Sequence, residues 1–326
     1  MSHALIADLG GTNARFALVP IHHYDPLEVR VLPCANYDTF FDAAADYIDS
    51  CSVAMEDIEA IVLAIAGPVN QPIIRFSNNP WQFTRSEVQS YFGGDKSVAF
   101  LNDFDAVGHC LEILKPDDLV VVGESSAVDT TGVCWVIGAG TGLGISCVVP
   151  QADGPNIVLP GEGGHVDLSA CNEVEDNILK FLRTRHHRVS AERVLSGMGL
   201  ENIYEALSLQ SGIEKRLTAP AIGEALKAGD DPIAIAALEQ FFVFLGRVIG
   251  DLVLSVESRG GVYIAGGIVP RYLNEIVKSG FRDAMNDKGR MKAFVSPIPT
   301  FVVMSEYPGL MGCACYASHL VSKAKI

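Results

Sequence analysis

One pattern occurs twice in the chain: an apolar run, a polar turn rich in glycine, and a second apolar run. The first copy reads ALIA, DLGGTN, ARFALV from residue 4, and the second reads GVCWVIG, AGTG, LGISCVV from residue 132. Each predicts a β-hairpin closed by a tight turn. Two such hairpins predict an internally duplicated unit, although the copies share little sequence. Further strands are expected in IEAIVLAIAG, SVAFLN and GVYIAGG. Helical stretches are expected near 39–50, after Asn102, over 173–185, 190–207 and 233–256, from Arg271, and over 309–323. Strands alternating with helices predict an α/β fold. With 326 residues, two domains are expected: residues 1–112 plus 306–326, and residues 113–305. No Pro- or Ser-rich linker separates them. On the long apolar helix, Arg247 and Asp251 stand four apart and are expected to share a polar patch.

Lys plus Arg number 24 and Asp plus Glu 39, a net charge of −15. A chain this acidic repels phosphate backbones and anionic lipid, so neither nucleic acid nor a membrane surface is an expected partner. A phosphorylated ligand would be held by backbone N–H groups or through a metal ion. The eight cysteines include no C-x-x-C pair and read as reduced, mostly buried small hydrophobes. The opening MSHALIADLGG lacks the pattern of a secretory signal, and the uncharged run 130–152 carries five glycines and reads as two strands. A cytoplasmic location is expected.

Several positions have both a chemical and a plain reading. Asp8 ends a strand before Gly10, Gly11, Thr12 and Asn13. Consecutive N–H groups there can cradle an anion, and the carboxylate can serve Mg²⁺ on a phosphate; a capped hairpin turn is the plain alternative. Gly140, Thr141 and Gly142 form the second turn, and Gly266-Gly267 ends a strand where a nucleotide can sit. Asn102-Asp103 opens a helix, as an N-cap or as a base facing a substrate hydroxyl. Glu162 and His165 project from the loop LPGEGGH, whose glycines would let it follow a polyol. Glu192 falls in the first turn after Ser190. In SNNPW, read as a turn, Asn79 can reach a hydroxyl and Trp81 reads as packing. The pairs His22-His23 and His186-His187 read as solvated. His165 with Cys171 is a weak metal candidate, since further zinc ligands are missing. There is no Walker A and no dinucleotide fingerprint.

DLGGTNARFAL, FLNDFDAV, GAGTGLG, LPGEGGHVD, SAERVLSG and YIAGGIVPR, in this order, resemble the bacterial-type glucokinase family of the actin/hexokinase/heat-shock-chaperone ATPase superfamily. The resemblance spans roughly residues 4 to 315. It implies two α/β domains of the actin-like (ribonuclease H-like) architecture around a cleft, and phosphorylation of the 6-hydroxyl of glucose by ATP with Mg²⁺, the first step of glycolysis. By motif match, Asp103 is the general base. Asn79, Asn102, Glu162, His165 and Glu192 join it on the sugar, and Asp8 serves the metal. The turns at 10–13 and 140–142 hold phosphates, and Gly266-Gly267 faces the adenosine. Homodimers occur in the family. The Cys-rich zinc motif of the related repressor/kinase family is missing, so no zinc site is expected. A kinase for another hexose or an amino sugar, a different phosphoryl donor, and a non-enzymatic actin-like switch ATPase are the alternatives.

Overall fold

A computed structural model describes residues 2–76, 79–124 and 127–324. It is α/β, and by its contacts the chain divides into two compact units. One comprises residues 1–116, 153–160 and 305–326, and the other residues 117–152 and 161–304. Asp153–Pro160 thus goes with the first unit, where the sequence reading put it in the second.

The first unit is built on a five-stranded sheet of β1 (His3–Leu9), β2 (Asn13–Pro20), β3 (Leu27–Pro33), β4 (Ile58–Ile65) and β7 (Ser97–Asn102), in the order β3-β2-β1-β4-β7. A small hairpin of β5 (Ile73–Arg75) and β6 (Gln82–Thr84) stands apart from it. β1 runs antiparallel to β2 and parallel to β4, and β4 is parallel to β7. Both faces of the sheet are covered, so its central strands read as continuous apolar runs rather than alternating ones. On one face Leu5, Ala7, Ile61 and Leu63 meet an aromatic cluster of Phe16, Phe40, Tyr47, Trp81, Phe83 and Phe92. It draws on α1 (Phe40–Asp49) and α2 (Arg85–Phe92), each started by a threonine capping box. The other face is lined with small residues, among them Ala4, Ala17, Ala60 and Ala64. They let α3 (Asp103–Cys110) and the C-terminal helix (Pro308–Ala324) lie close to the sheet. Gly312 takes this furthest, since a Cβ there would overlap the Ala106 carbonyl of α3.

In the second unit β8 (Leu119–Val121), β9 (Cys134–Ala139), β10 (Leu143–Val149), β12 (Gly261–Ala265) and β13 (Thr300–Val303) follow the order β10-β9-β12-β13-β8. The strand β11 (Ile157–Gly161) leads the chain back into this unit. β9 is antiparallel to β10 and parallel to β12, which repeats the arrangement of β1 with β2 and β4. The duplication expected from the two hairpins therefore exists at the level of topology. The helices include α4 (Glu173–Arg183), α5 (Gly197–Gln210), α6 (Ala219–Ala228) and α7 (Pro232–Ser255). Among the described residues α7 is the one helix long and apolar enough to cross a membrane, and its apolar window is 72% buried in the protein, as befits a core helix.

Arg247 and Asp251 do not share one patch. Arg247 is buried and bonds Glu175 at 3.4 Å and Asp287 at 2.5 Å, while the exposed Asp251 pairs with Lys288 at 2.6 Å. Six of the eight cysteines are buried, and all eight are free thiols.

Candidate active site

In the first unit the parallel strands β1, β4 and β7 end level with one another: Leu9 pairs with Ile65, and Ile65 with Asn102. This register brings Asp8 and Asp103 to the same edge of the sheet, the carboxyl end, where α/β sheets bind ligands. Asn102 caps α3, as its Oδ1 accepts the Phe104 N–H at 2.9 Å and its Nδ2 donates to the Gly67 carbonyl at 3.3 Å. Asp103 is the first residue of the helix and accepts the same Phe104 N–H at 3.0 Å. The plain and the chemical readings of this dipeptide thus fall on different residues: Asn102 does the capping and fixes where Asp103 points. Burial pushes the Asp103 carboxyl up to about 7, with the Asp8 charge adding to the shift and the Phe104 N–H opposing it. A carboxyl that titrates near neutrality is suited to proton transfer.

Asp8 stands directly across the hairpin from Arg15, whose Nη1 donates to Asp8 Oδ2 at 3.0 Å. Burial raises the Asp8 carboxyl and Arg15 works against that rise. The start of the C-terminal helix also lies here, for a Cβ on Gly309 would stand 3.6 Å from Asp8 Cγ. Arg15 and Gly309 were not singled out from sequence. Arg15 was within reach, because counting outward from the turn places it opposite Asp8.

In the turn itself, the Gly10 N–H donates to the Asn13 carbonyl at 3.0 Å. Asn79 braces this turn from the side, with Nδ2 on the Gly10 carbonyl at 3.5 Å and Oδ1 accepting the Trp81 N–H at 2.7 Å. Thr12 is exposed, and Gly11 and Asn13 are partly so. Of the segment SNNPW, Ser77 and Asn78 lie outside the described residues. Trp81 is buried in the aromatic cluster and donates its ring N–H to the Tyr37 carbonyl at 3.1 Å, a packing role.

In the second unit Leu143 gathers three of the expected elements. Its N–H donates to Glu192 Oε2 at 3.0 Å, which ties Glu192 to the end of the 140–142 turn. A Cβ on Gly142 would come within 2.6 Å of that carboxylate oxygen. On the other side, a Cβ on Gly164 would lie 2.2 Å from the Leu143 carbonyl, and one on Gly163 3.0 Å from Ile145. Gly163 and Gly164 therefore serve close packing on β10, a role beside the ligand-following one expected from sequence. Their contact sets where Glu162 and His165 project. Those two side chains are well exposed, with His165 Nε2 3.9 Å from Glu162 Oε2. Cys171 is exposed, and its N–H donates to Glu175.

Glu192 is not in a long helix. It sits in the 3-10 turn Ala191–Arg193, and α5 starts afresh at Gly197 under a Ser196 cap. The Gly197 N–H bonds the Gly140 carbonyl at 2.9 Å, so the start of α5 abuts the 140–142 turn.

Gly266-Gly267 follows β12 at the level where Ala265 pairs with Gly138 of β9. Gly266 has φ +84° and lies so near Ala139 that a Cβ would be 2.5 Å from its carbonyl oxygen. Gly267 and Gly140, in contrast, face open space. The second turn and the third glycine pair thus form one surface at the carboxyl ends of adjacent parallel strands. His22, His23 and His187 are exposed and His186 partly so, in line with solvated pairs.

The chain has relatives among glucokinases. The glucokinase family model matches residues 5–320. A glucokinase of Chromohalobacter salexigens is 41% identical over 318 residues, covering 97% of either chain. A crystal structure of glucokinase from an Antarctic psychrotroph superposes with TM-score 0.84 at 31% identity, covering 97% of this chain and 99% of that one. At 18% identity and TM-score 0.64, a ROK family glucokinase from Streptomyces griseus, solved with glucose and AMPPNP, covers 97% of this chain and 99% of its own and shares the fold, that of the actin-like ATPases. With the family model and a full-length relative in agreement, the chain belongs to the glucokinase family.

Proposed function

We propose that the chain transfers the γ-phosphoryl group of MgATP to the 6-hydroxyl of D-glucose, giving glucose 6-phosphate and ADP, in the cytoplasm. The observation that carries the chemistry is Asp103, a carboxyl poised near pH 7 at the carboxyl end of a parallel sheet beside Asp8. Phosphoryl transfer asks little covalent help from protein; positioning, charge neutralisation and one base suffice. Asp103 takes the proton of the 6-hydroxyl as that oxygen bonds to the γ-phosphorus and the bridging oxygen leaves with ADP. Glu162, His165 and Glu192 present acceptors and a donor to the remaining hydroxyls, and Asn102 offers its second amide hydrogen.

Asp8 offers a hard carboxylate oxygen beside the one Arg15 engages. That donor type suits Mg²⁺ held through water, and the ion, when bound with ATP, neutralises phosphate charge. The Gly10 and Gly140 N–H groups close the two turns themselves, so the remaining N–H groups of 11–13 and 141–142 hold phosphates, and Gly266-Gly267 leaves room for the adenosine.

The test is ADP release from MgATP, alone and then with glucose, mannose, fructose, galactose or N-acetylglucosamine. Strong stimulation by glucose is expected. Stimulation by another sugar alone would move the substrate, and hydrolysis indifferent to every sugar would overturn the kinase.

A further inference from the structure

The C-terminal helix crosses α3 at Gly312, and the residues three and seven positions further on, Cys315 and His319, lie on the same helical face. They meet Glu112, two residues past the end of α3. His319 Nε2 is 2.8 Å from Glu112 Oε2 and 3.5 Å from Cys315 Sγ, and the three donor atoms lie within 4.8 Å of one another. We propose that Glu112, Cys315 and His319 bind a divalent cation of the zinc class, with three protein ligands and a fourth position open to water.

The donor set is one that zinc accepts: a thiolate, an imidazole nitrogen and a carboxylate oxygen. With metal–sulfur near 2.3 Å and metal–nitrogen near 2.0 Å, a tetrahedral ion separates sulfur from nitrogen by about 3.5 Å. That is the spacing already present between Cys315 and His319. The oxygen–nitrogen pair has to open by only about half an ångström.

Glu112 is held for this task, since its Oε1 accepts the Asn156 N–H at 2.9 Å. A second observation points the same way. His109 is only 7% exposed, its Nδ1 has no hydrogen-bond partner, and that atom faces Glu112 Oε1 at 3.7 Å. Carboxylates that ligate a metal are themselves hydrogen-bonded from outside, and His109 stands where it can serve Glu112 in this way. Cys315 is buried while His319 is partly exposed, so an ion enters from the His319 side. On binding, the thiol proton leaves to solvent. The site lies apart from the sugar and nucleotide residues named above and joins two segments of the first unit.

The test titrates the full chain with Zn²⁺ against a chromophoric chelator, and with Co²⁺ as a spectroscopic probe. One equivalent of Zn²⁺ is expected, with a thiolate-to-cobalt charge-transfer band and a raised melting temperature. Cys315→Ser should abolish the band, and His319→Gln and Glu112→Gln should each weaken binding by at least about tenfold. Cys171→Ser, which removes the exposed thiol, should leave both readouts unchanged. If a variant at 315 or 319 fails to fold, Glu112→Gln and the cobalt band of the unmodified chain still decide. Absence of stoichiometric binding, a band lost in Cys171→Ser, or affinity unaffected by the three ligand variants would each overturn the site.

Discussion

Replacing Asp103 by asparagine should make the protein more stable and nearly inactive, and the two effects should separate with pH. The carboxyl is raised from 3.8 to about 7, chiefly by burial and secondarily by Asp8. At 1.36 kcal/mol per unit, a shift of about 3 units is worth at most about 4 kcal/mol. Partial exposure and the coupling to Asp8 bring this to about 2–4 kcal/mol.

The sign follows from linkage. The folded chain holds this proton more tightly than the unfolded one, so the contribution to stability is full below pH 4 and is lost as pH rises through 7. At pH 8 the native protein carries a destabilised carboxylate. The asparagine side chain carries no charge, yet its carbonyl can still accept the Phe104 N–H. The melting temperature of Asp103→Asn should therefore exceed that of the native chain by roughly 3–6 °C at pH 8, with no gain at pH 4. Calorimetry at the two pH values reads this directly.

In the same variant turnover should fall by about 10²–10⁴ while glucose affinity stays within about tenfold. In the unmodified enzyme kcat/KM should fall below pH 7, and Asp8→Asn should move that limb to lower pH. Near-normal turnover in Asp103→Asn would refute the assignment of the base. An equal thermal gain at pH 4 and pH 8 would refute the argument from burial.

Two glycines of the second turn should respond in opposite ways. Gly140 faces open space, so Gly140→Val should keep its melting temperature and raise KM for ATP, with glucose affinity largely kept; an unchanged KM for ATP would contradict the phosphate turn. Gly142→Ala puts a methyl 2.6 Å from Glu192 Oε2 and should cost glucose affinity as well, measured by fluorescence or calorimetric titration. Arg247→Leu leaves Glu175, which is 0% exposed, without its cation. The loss should be about 3 kcal/mol, at the low end for a broken buried pair because Glu175 keeps the Cys171 N–H and the Asn172 amide. Urea unfolding measures it, and a loss below about 1 kcal/mol would show the pair to be dispensable.

What the sequence made legible was local. The hairpins could be read because apolar runs and glycine turns are contiguous, and the placement of Asp8, Asp103 and Gly266-Gly267 at strand ends because each directly adjoins its apolar run. The errors lie where a residue's partner is remote. Arg247 and Asp251 fit an i,i+4 pair, but Glu175, Asp287 and Lys288 approach from elsewhere in the chain and offer each a partner that helix spacing cannot reveal. The break between Glu192 and α5 was signalled by Ser196-Gly197, a cap followed by a poor helix former, and was overridden by the apolar periodicity around it.

The loop glycines at 163 and 164 carry a packing role that the sequence does not reveal. A glycine that follows a ligand and a glycine that lets two backbones touch look identical in a sequence. Only the crowding at Leu143 separates them, and the distinction changes the argument about the site. Because Gly164 is pressed onto the Leu143 carbonyl and Glu192 is bonded to the Leu143 N–H, one residue of β10 fixes the loop carrying Glu162 and His165, the Glu192 carboxylate and the end of the 140–142 turn together. A side chain at position 164 would push the loop off β10 and should weaken glucose binding without touching Glu162 or His165. That cost belongs to positioning, and no motif comparison would have assigned it.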